Sequence, residues 1–478
     1  MIWDDATIAK LEVPLANPIG SPKQVPSTYY YKIPVRPIFK SYPVYAPGHE
    51  PPGYIDWLKQ QEPVVLWDDK RHAPPLKTDA DWTKAGEMVF DAPVTTGQIG
   101  GRLPEGLYVR DPEFYRKTGT PVAADGTVPF YRYLVFEKGK VEIGILGCAM
   151  CHTRVMPDGS TLKGAQGNFP FDRAFAYNYR KGGDYPDVAR TLERLLYAAP
   201  WVRPDPQAGL EEMSIEDIAS RHDPIPPGVL ARHRTGPLYP VQVPDLIGVK
   251  DRLYLDRTGL QQNRSIEDIM RYAALNQGGD DLASYDGFIP ADFPQFKKLP
   301  PPDQVNERYS DPQLYALALY IYSLKPPPNP NKYDALAAEG KEVFERERCG
   351  RCHTPPLYTN NFLTPVDGFT PSPIAAILYN VSLTSVHTDP GLALNTRRGT
   401  GYYKVPSLKG VWYRSMFGHS GWCATLEDWF DPRRAHDDYV PTGFKPYGTK
   451  TYAVKGHPFG LELSEEDRKA LIAFLRTL

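Results

Sequence analysis

Four of the five cysteines occur in two identical frames, each ending in a histidine. These frames are CAMCH at 148–152 and CGRCH at 349–353. Two thiols three residues apart, followed at once by an imidazole, are typical of covalent c-type haem attachment. The thiols bond to the vinyl carbons of the porphyrin, and the adjacent histidine then lies under the iron as its proximal ligand. The candidate attachment and ligand residues are Cys148, Cys151, His152, Cys349, Cys352 and His353.

Two other interpretations fit the cysteines taken alone. A zinc site held by four thiolates fits the spacing within each pair, and a thioredoxin-like redox dithiol fits either pair singly. Neither needs a histidine directly after the second cysteine. Because the chain has only 10 histidines among 478 residues, finding one at both positions favours haem. The sequence therefore predicts two covalently attached c-type haems, with iron as the bound metal.

The second axial position of each iron separates electron transfer from chemistry at the metal. For the second haem we predict His457, which stands directly before the C-terminal helix. That helix is expected to pack along the haem edge, so the segment leading into it can reach the far face of the iron. Two histidine ligands would leave this haem able only to exchange or store electrons. The other candidates for the same position are His387, Met416, His419 and His436.

The first haem lacks an obvious second ligand. No histidine follows His152 until His222, and Met156 is too close in sequence to reach the far face easily. This spacing predicts an open or weakly ligated iron that can react with peroxide or dioxygen. The alternative is that His222 or His233 folds back as the sixth ligand.

The elements that must position these residues occur twice. GEMVF at 86–90 resembles GKEVF at 340–344, and residues 310–324 resemble 464–478, where each copy begins with a serine N-cap. Each half therefore has an opening helix, an attachment frame and a closing helix, which is the minimal layout of a cytochrome c. The proline-rich segment at 325–332 separates the halves, because no helix could run through it.

We predict a mainly α fold in three parts. Residues 1–80 form an irregular wrapping extension, 81–327 an N-terminal cytochrome c-like haem domain with large loop-rich insertions, and 333–478 a C-terminal cytochrome c-like haem domain. Residues 129–147 are rich in strand formers around a Lys-Gly turn, which predicts a small β-hairpin.

The composition limits the partners and the location. With 55 basic and 57 acidic residues the net charge is −2, which argues against a nucleic acid as partner. No apolar run approaches the roughly 20 residues of a transmembrane segment. Because c-type haem is attached outside the cytoplasm, we expect a periplasmic or otherwise extracytoplasmic protein whose leader is absent from this numbering. Its partner would be a redox protein or a small-molecule substrate.

The second half resembles a known family. DPG at 389–391 and YKVPSLKGVWYRSMFGHSGWCATLEDWFDP at 403–432 are similar to the second-domain signature of bacterial di-haem cytochrome c peroxidases. The resemblance covers roughly 330–478 well and the first half more loosely, and it is closest to the branch that contains rubber oxygenases. It implies that the N-terminal haem reacts while the C-terminal haem serves as electron reservoir.

The resemblance also points to a distal pocket. Residues 252–275 fall where the family builds the distal pocket and the contact between haems, which makes Tyr254, Arg271 and Tyr272 candidate catalytic residues. The sequence thus favours a di-haem oxidoreductase that acts as a peroxidase or an oxygenase. The alternative is a non-catalytic electron-transfer cytochrome with both irons six-coordinate.

Overall fold

The computed structural model describes residues 1–96, 107–182, 186–202, 209–231, 235–278, 282–289, 307–382 and 384–478. Within these ranges helices are joined by long irregular segments, with small antiparallel sheets among them. Most of the longer elements are helices, in agreement with the predicted mainly α chain. None of the helices in the described ranges is long and apolar enough to cross a membrane.

The bounds of the elements follow. The α-helices are Asp5–Ile8, Ser27–Tyr30, Tyr54–Lys59, Asp79–Asp91, Pro112–Thr118, Cys148–His152, Phe171–Lys181, Pro186–Tyr197, Ile215–His222, Ile266–Gly278, Asp311–Ser323, Ala335–Arg346, Pro373–Leu378, Gly391–Leu394, Leu426–Trp429 and Glu465–Arg476. The strands are Pro22–Gln24, Ile38–Phe39, Ser41–Tyr45, Val65–Trp67, Thr95–Thr96, Thr127–Glu137, Lys140–Ile145, Thr153–Val155, Thr161–Lys163, Val229–Leu230, Val241–Gln242, Ala283–Tyr285, Leu363–Pro365 and Tyr402–Lys404.

Two long helices of the N-terminal half cross at a glycine. A Cβ atom on Gly86 would stand 1.9 Å from the carbonyl oxygen of Ala316, on helix Asp311–Ser323. Only glycine, which has no Cβ, lets the two backbones approach this closely. Phe90 and Tyr320 pack beside the crossing with their ring centroids 5.2 Å apart.

The C-terminal half repeats this crossing. A Cβ atom on Gly340 would stand 1.8 Å from the carbonyl oxygen of Ala470, and the rings of Phe344 and Phe474 pack beside it at 5.4 Å. The four helices that the sequence predicts at these places are all present. The two crossings also share an aromatic pair at corresponding positions.

The predicted β-hairpin is present and belongs to a larger sheet. Strands Thr127–Glu137 and Lys140–Ile145 pair antiparallel, and Gly139, with φ 91°, lies in the two-residue turn. Ser41–Tyr45 adds to one edge and Thr95–Thr96 to the other, which gives four strands. The sequence analysis found the hairpin but not the two edge strands, which come from distant parts of the chain.

The N-terminal segment packs against residues from both predicted halves. Trp3 is fully buried in the core around the first helix crossing. The backbone N–H of Val13 donates to the carbonyl oxygen of Leu260, and that of Ala16 donates to Gly399, each at 2.7 Å. The segment thus forms main-chain contacts on either side of the proline-rich linker.

Candidate functional site

The first cysteine frame forms the short helix Cys148–His152, and its histidine is held through Nδ1. This atom lies 3.1 Å from the carbonyl oxygen of Pro244. Since a carbonyl oxygen only accepts, Nδ1 carries the proton and Nε2 keeps its lone pair. Burial lowers the pKa of His152 to about 4. The ring is therefore neutral and has the tautomer that a metal-ligating imidazole needs.

The second frame holds its histidine in the same way. Nδ1 of His353 lies 3.1 Å from the carbonyl oxygen of Pro406 and 3.3 Å from that of Tyr358. Burial lowers the pKa of His353 to about 4 as well. Both histidines thus present an unprotonated Nε2, although the first frame is helical and the second includes a 3-10 turn, Cys349–Arg351.

The two prolines belong to a repeated segment. The chain reads VPDLIGV at 243–249 and VPSLKGV at 405–411. An arginine follows each copy, Arg252 or Arg414, and its guanidinium donates to two carbonyl oxygens of its own copy. Only the second copy was recognised from the sequence. The shared Val-Pro-x-Leu-x-Gly-Val pattern could also have identified the first copy, which contains Pro244, the partner of His152.

A cavity of about 660 Å³ adjoins the second frame. Cys349, Cys352, His353 and His457 all line it. The ring centroids of the two histidines are 6.4 Å apart. Two imidazoles that share a metal ion at metal–nitrogen distances of about 2 Å have their centroids roughly 6 Å apart. The volume also falls within the range of cofactor sites. The residues present therefore fit a haem attached at this frame.

His457 is held in place by a buried arginine. The histidine has a left-handed backbone conformation, with φ 44°, which side-chain-bearing residues rarely adopt. The fully buried guanidinium of Arg434 donates to the carbonyl oxygens of Val454, Gly456 and His457. The backbone N–H of His457 donates to Val386 at 2.6 Å. No sequence motif marked Arg434, and sequence reasoning missed it.

The electrostatics of His457 suit a metal ligand. Burial, followed by the neighbouring His353 and Arg434, lowers the pKa of His457 to about 3. Its Nδ1 is buried and has no hydrogen-bond partner among the described residues. A ring with a pKa this low is neutral and can offer a nitrogen lone pair to a metal.

The other candidates for the second iron are engaged elsewhere or lie away from the cavity. His419 lines the cavity, but its Nε2 is 2.9 Å from the hydroxyl of Tyr403, on which its ring stacks. The side chain of His387 is 68% exposed. In the described part of the chain, Met416 and His436 are not among the residues that line the cavity.

On the first iron's side, His222 is engaged by two carboxylates. Its Nδ1 lies 2.8 Å from Asp172 and its Nε2 2.8 Å from Glu193, and all three side chains are buried. Burial alone would lower the pKa of His222, but the carboxylates outweigh it and raise the pKa to about 10. With both ring nitrogens engaged, His222 offers no lone pair to an iron. The second alternative, His233, lies outside the described residues.

All three predicted pocket residues form hydrogen bonds within the protein. The hydroxyl of Tyr254 donates to the carbonyl oxygen of Tyr379 at 2.7 Å. The buried guanidinium of Arg271 donates to the carbonyl oxygen of Ile2 at 2.7 Å and to Asp268 at 2.8 Å. The contacts with Tyr379 and Ile2 tie distant segments of the chain together, and a catalytic role for Tyr254 and Arg271 stays a prediction.

Burial raises the pKa of Tyr272, and its hydroxyl forms hydrogen bonds with Asn276 and Arg398. It is half-buried and packs against the core cluster that Cys148 also contacts. Tyr309 belongs to the same cluster, and its buried hydroxyl has no hydrogen-bond partner in the described part of the chain. No motif marks Tyr309, so the sequence analysis missed this buried polar group beside the first frame.

The state of the thiols bears on the two rival interpretations of the cysteines. Burial raises the pKa of Cys148 to about 12 and that of Cys349 to about 11, whereas a redox-active cysteine has a lowered pKa. The two pairs also pack against different core clusters. No group of three or more His, Cys, Asp or Glu side chains within the described ranges could hold a metal ion. The four thiols therefore do not share one zinc site.

Comparison with known proteins adds little to this geometry. No family model and no curated protein matches the chain. One similar solved structure is the hydrazine synthase of Kuenenia stuttgartiensis, with 14% identity, 62% of this chain and 88% of that chain covered, and a TM-score of 0.32. Another is a MauG-like protein associated with microbial copper homeostasis, with 16% identity, coverage of 50% and 73%, and a TM-score of 0.27. Likeness at this level does not establish a shared fold.

Proposed function

We propose that this chain is an extracytoplasmic di-haem c-type oxidoreductase of the bacterial di-haem cytochrome c peroxidase superfamily, related to its rubber-oxygenase-like branch. The observation that carries the proposal is the placement of His353 and His457. Their ring centroids lie 6.4 Å apart in a cavity that Cys349 and Cys352 also line. Few groups other than a covalently attached haem need two thiols and two neutral imidazoles together.

The two haems have different roles in this proposal. Residues 81–327 hold the first through Cys148, Cys151 and His152, and residues 333–478 hold the second. Haem supplies a redox-active iron that reacts with peroxide or dioxygen where an axial position is open. The first site is the reactive one, because His222 is engaged by carboxylates, while His457 closes the second iron for electron transfer or storage.

The protein's own residues orient and protect these centres. The carbonyl oxygens of Pro244 and Pro406 fix the proximal imidazoles in one tautomer. Arg434 holds the segment that carries His457. Tyr254, Arg271 and Tyr272 stay the catalytic candidates. The buried hydroxyl of Tyr309, which lies close enough to interact electrostatically with Cys148, is a further donor beside the first frame.

Haem content tests the proposal. The matured protein should carry the mass of two haems and give the pyridine haemochrome spectrum of c-type haem. Cys148→Ala and Cys349→Ala should each weaken attachment of one haem, whereas Cys423→Ala, which changes a fully buried thiol outside the frames, should keep both. A matured protein without colour, or with the mass of the polypeptide alone, would refute the proposal.

A second measurement separates the oxidoreductase from a plain electron carrier. If the first iron is open, part of the ferric spectrum is high-spin and shifts when cyanide or azide is added. A carrier with two six-coordinate irons would give the spectrum of two low-spin haems, and neither cyanide nor azide would change it.

A further inference from the structure

The cavity of the second frame has a strongly cationic lining. Five cationic side chains line it, and the described lining residues include one carboxylate, Glu347. Glu347 lies beside Cys349, where it raises the pKa of the thiol. Among the described lining residues, the other cations therefore have no carboxylate beside them on the cavity wall itself. The five cations are Arg257, Arg348, Arg351, Lys404 and Arg414.

Three of these cations form a compact group, here called the cationic cradle: Arg257, Lys404 and Arg414. They lie close enough that each contributes to the electrostatic environment of another. The ammonium of Lys404 donates to the carbonyl oxygens of Tyr254 and Leu255 at 3.0 and 2.9 Å. The Nε atoms of Arg257 and Arg414 are buried without a hydrogen-bond partner in the described part of the chain.

Burial and repulsion among neighbouring cations lower the pKa values of two side chains in the cradle. Burial, followed by the neighbouring Arg414 and Arg252, lowers the pKa of Arg257 to about 9. Burial, with Arg257 and Arg252, lowers the pKa of Lys404 well below its usual value. Like charges gathered in a buried place disfavour one another unless an anion offsets them.

The nearby carboxylates are already engaged. Asp245 accepts from the hydroxyl of Tyr413 at 2.9 Å and lies 4.0 Å from both Arg252 and Arg414. Asp256 accepts from two backbone N–H groups and from Arg398. Neither carboxylate supplies a hydrogen bond to the free Nε atoms of the cradle.

We propose that the cationic cradle binds the two propionate carboxylates of the haem held at His353, and that its charge raises the reduction potential of that haem. The inference rests on the proposed function, since covalent attachment at Cys349 and Cys352 is what brings a dicarboxylate into this cavity. Propionate carboxylates carry the charge that offsets the guanidinium and ammonium groups of the cradle. A positive cradle favours the ferrous iron, because the ferric iron carries one more positive charge.

The cradle draws on both predicted haem domains. Arg257 lies before the proline-rich linker, and Lys404 and Arg414 lie after it. The first half therefore contributes directly to the electrostatics of the second haem. Ionic contacts across the two halves give the N-terminal domain a means of tuning the electron reservoir that serves it.

Redox titration of the holoprotein tests this proposal. Arg257→Gln and Lys404→Met should each lower the potential of the low-spin haem, with at least a tenfold shift in its reduction equilibrium, or about 59 mV for one electron. Lys450→Met, which removes the same charge at an exposed position, is the matched control. The charge-conserving Arg257→Lys and Lys404→Arg should keep the potential within a small fraction of that shift.

The outcomes separate the cradle from the proposed function. A wild-type protein without haem refutes the function itself. If haem is present and the neutral variants match Lys450→Met, the cradle assignment is wrong. If a neutral variant fails to accumulate, a fall in potential in the charge-conserving variants overturns the proposal. Added inorganic phosphate could instead change the reduction potential of the wild type but not that of Lys404→Met. That result would show that the cradle binds a free anion and not the propionates.

Discussion

Both frame histidines donate a hydrogen bond through Nδ1 to a proline carbonyl oxygen, His152 to Pro244 and His353 to Pro406. Proline has no N–H of its own, and its ring fixes φ, so each acceptor lies on a segment with few backbone conformations. The tautomer of each imidazole is thus set before any metal arrives.

If the proposed function is right, removing His457 should change one haem only. In His457→Ala, the proposed attachment residues Cys349 and Cys352 and the proposed ligand His353 are kept, so a haem would stay attached. We expect one of two haems to change from low spin to high spin, as measured by visible absorption and electron paramagnetic resonance.

The matched control for this experiment is His387→Ala. His387 is an exposed histidine that bonds to Asp367 at 3.0 Å, so its loss should leave both spectra unchanged. If His457→Ala also leaves the spectra unchanged, another residue ligates the iron.

The two Cys-x-x-Cys-His frames can be recognised in the sequence because their chemistry depends on short spacing, and their role as haem sites stays a prediction. Pro244 and Arg434 could not be predicted in the same way, since each acts on a residue far from it in sequence or through backbone atoms alone. Arg434 is 23 residues from the carbonyl oxygen of His457 that it binds. Only the Val-Pro-x-Leu repeat contained a signal for the first of them.

At the scale of elements, the two helix crossings depend on glycine. The helices approach so closely at Gly86 and Gly340 that any side chain would meet a backbone oxygen. A backbone oxygen cannot rotate away as a flexible side chain can, so the helices themselves would have to move apart. The cysteine frames follow these helices in the chain, so a displaced helix would also move the frames.

Gly340→Ala should destabilise the protein despite the better helix propensity of alanine. The added Cβ would stand 1.8 Å from the carbonyl oxygen of Ala470, and overpacking of this kind costs about 1–3 kcal/mol. Denaturant unfolding should show this fall in the free energy of unfolding. Gly236→Ala is the control, because it lies outside both frames and its Cβ would make an ordinary contact at 3.9 Å; equal stability of the two variants would contradict the role of the crossing.

The longer elements could be predicted from the sequence, but their pairing could not be predicted equally well. Serine caps and apolar spacing marked the closing helices, and a Lys-Gly turn marked the hairpin at 129–147. The edge strand Ser41–Tyr45 pairs with Thr127–Glu137 across a long stretch of chain. Local patterns do not determine such pairings, because any exposed strand edge offers the same backbone groups.

At the scale of the whole molecule, the chain shows an internal duplication that goes beyond the cysteine frames. Each half has a glycine-crossed helix pair, a frame, and a Val-Pro-x-Leu segment whose arginine donates to its own turn. The halves differ in their histidines. The second has His457 on the cavity beside its frame, while the first has an insertion in which His222 is bound by Asp172 and Glu193.

The His222 cluster lets pH act on the stability of the whole N-terminal half. It joins helix Phe171–Lys181 to helices Pro186–Tyr197 and Ile215–His222 through Asp172 and Glu193. The folded pKa of His222 is raised from 6.5 to about 10. A raised pKa means that the folded state holds the proton more tightly than the unfolded state.

Stability from this cluster should therefore be complete below about pH 6.5 and disappear as the pH approaches about 10. The free energy of unfolding of the wild type should fall across that window, by at most about 1.4 kcal/mol per pH unit. His222→Gln cannot take up the proton, so its stability should be lower at pH 6 and nearly flat over the same window. Denaturant titrations at successive pH values measure both curves. Parallel curves would show that His222 is not held as an imidazolium between the two carboxylates.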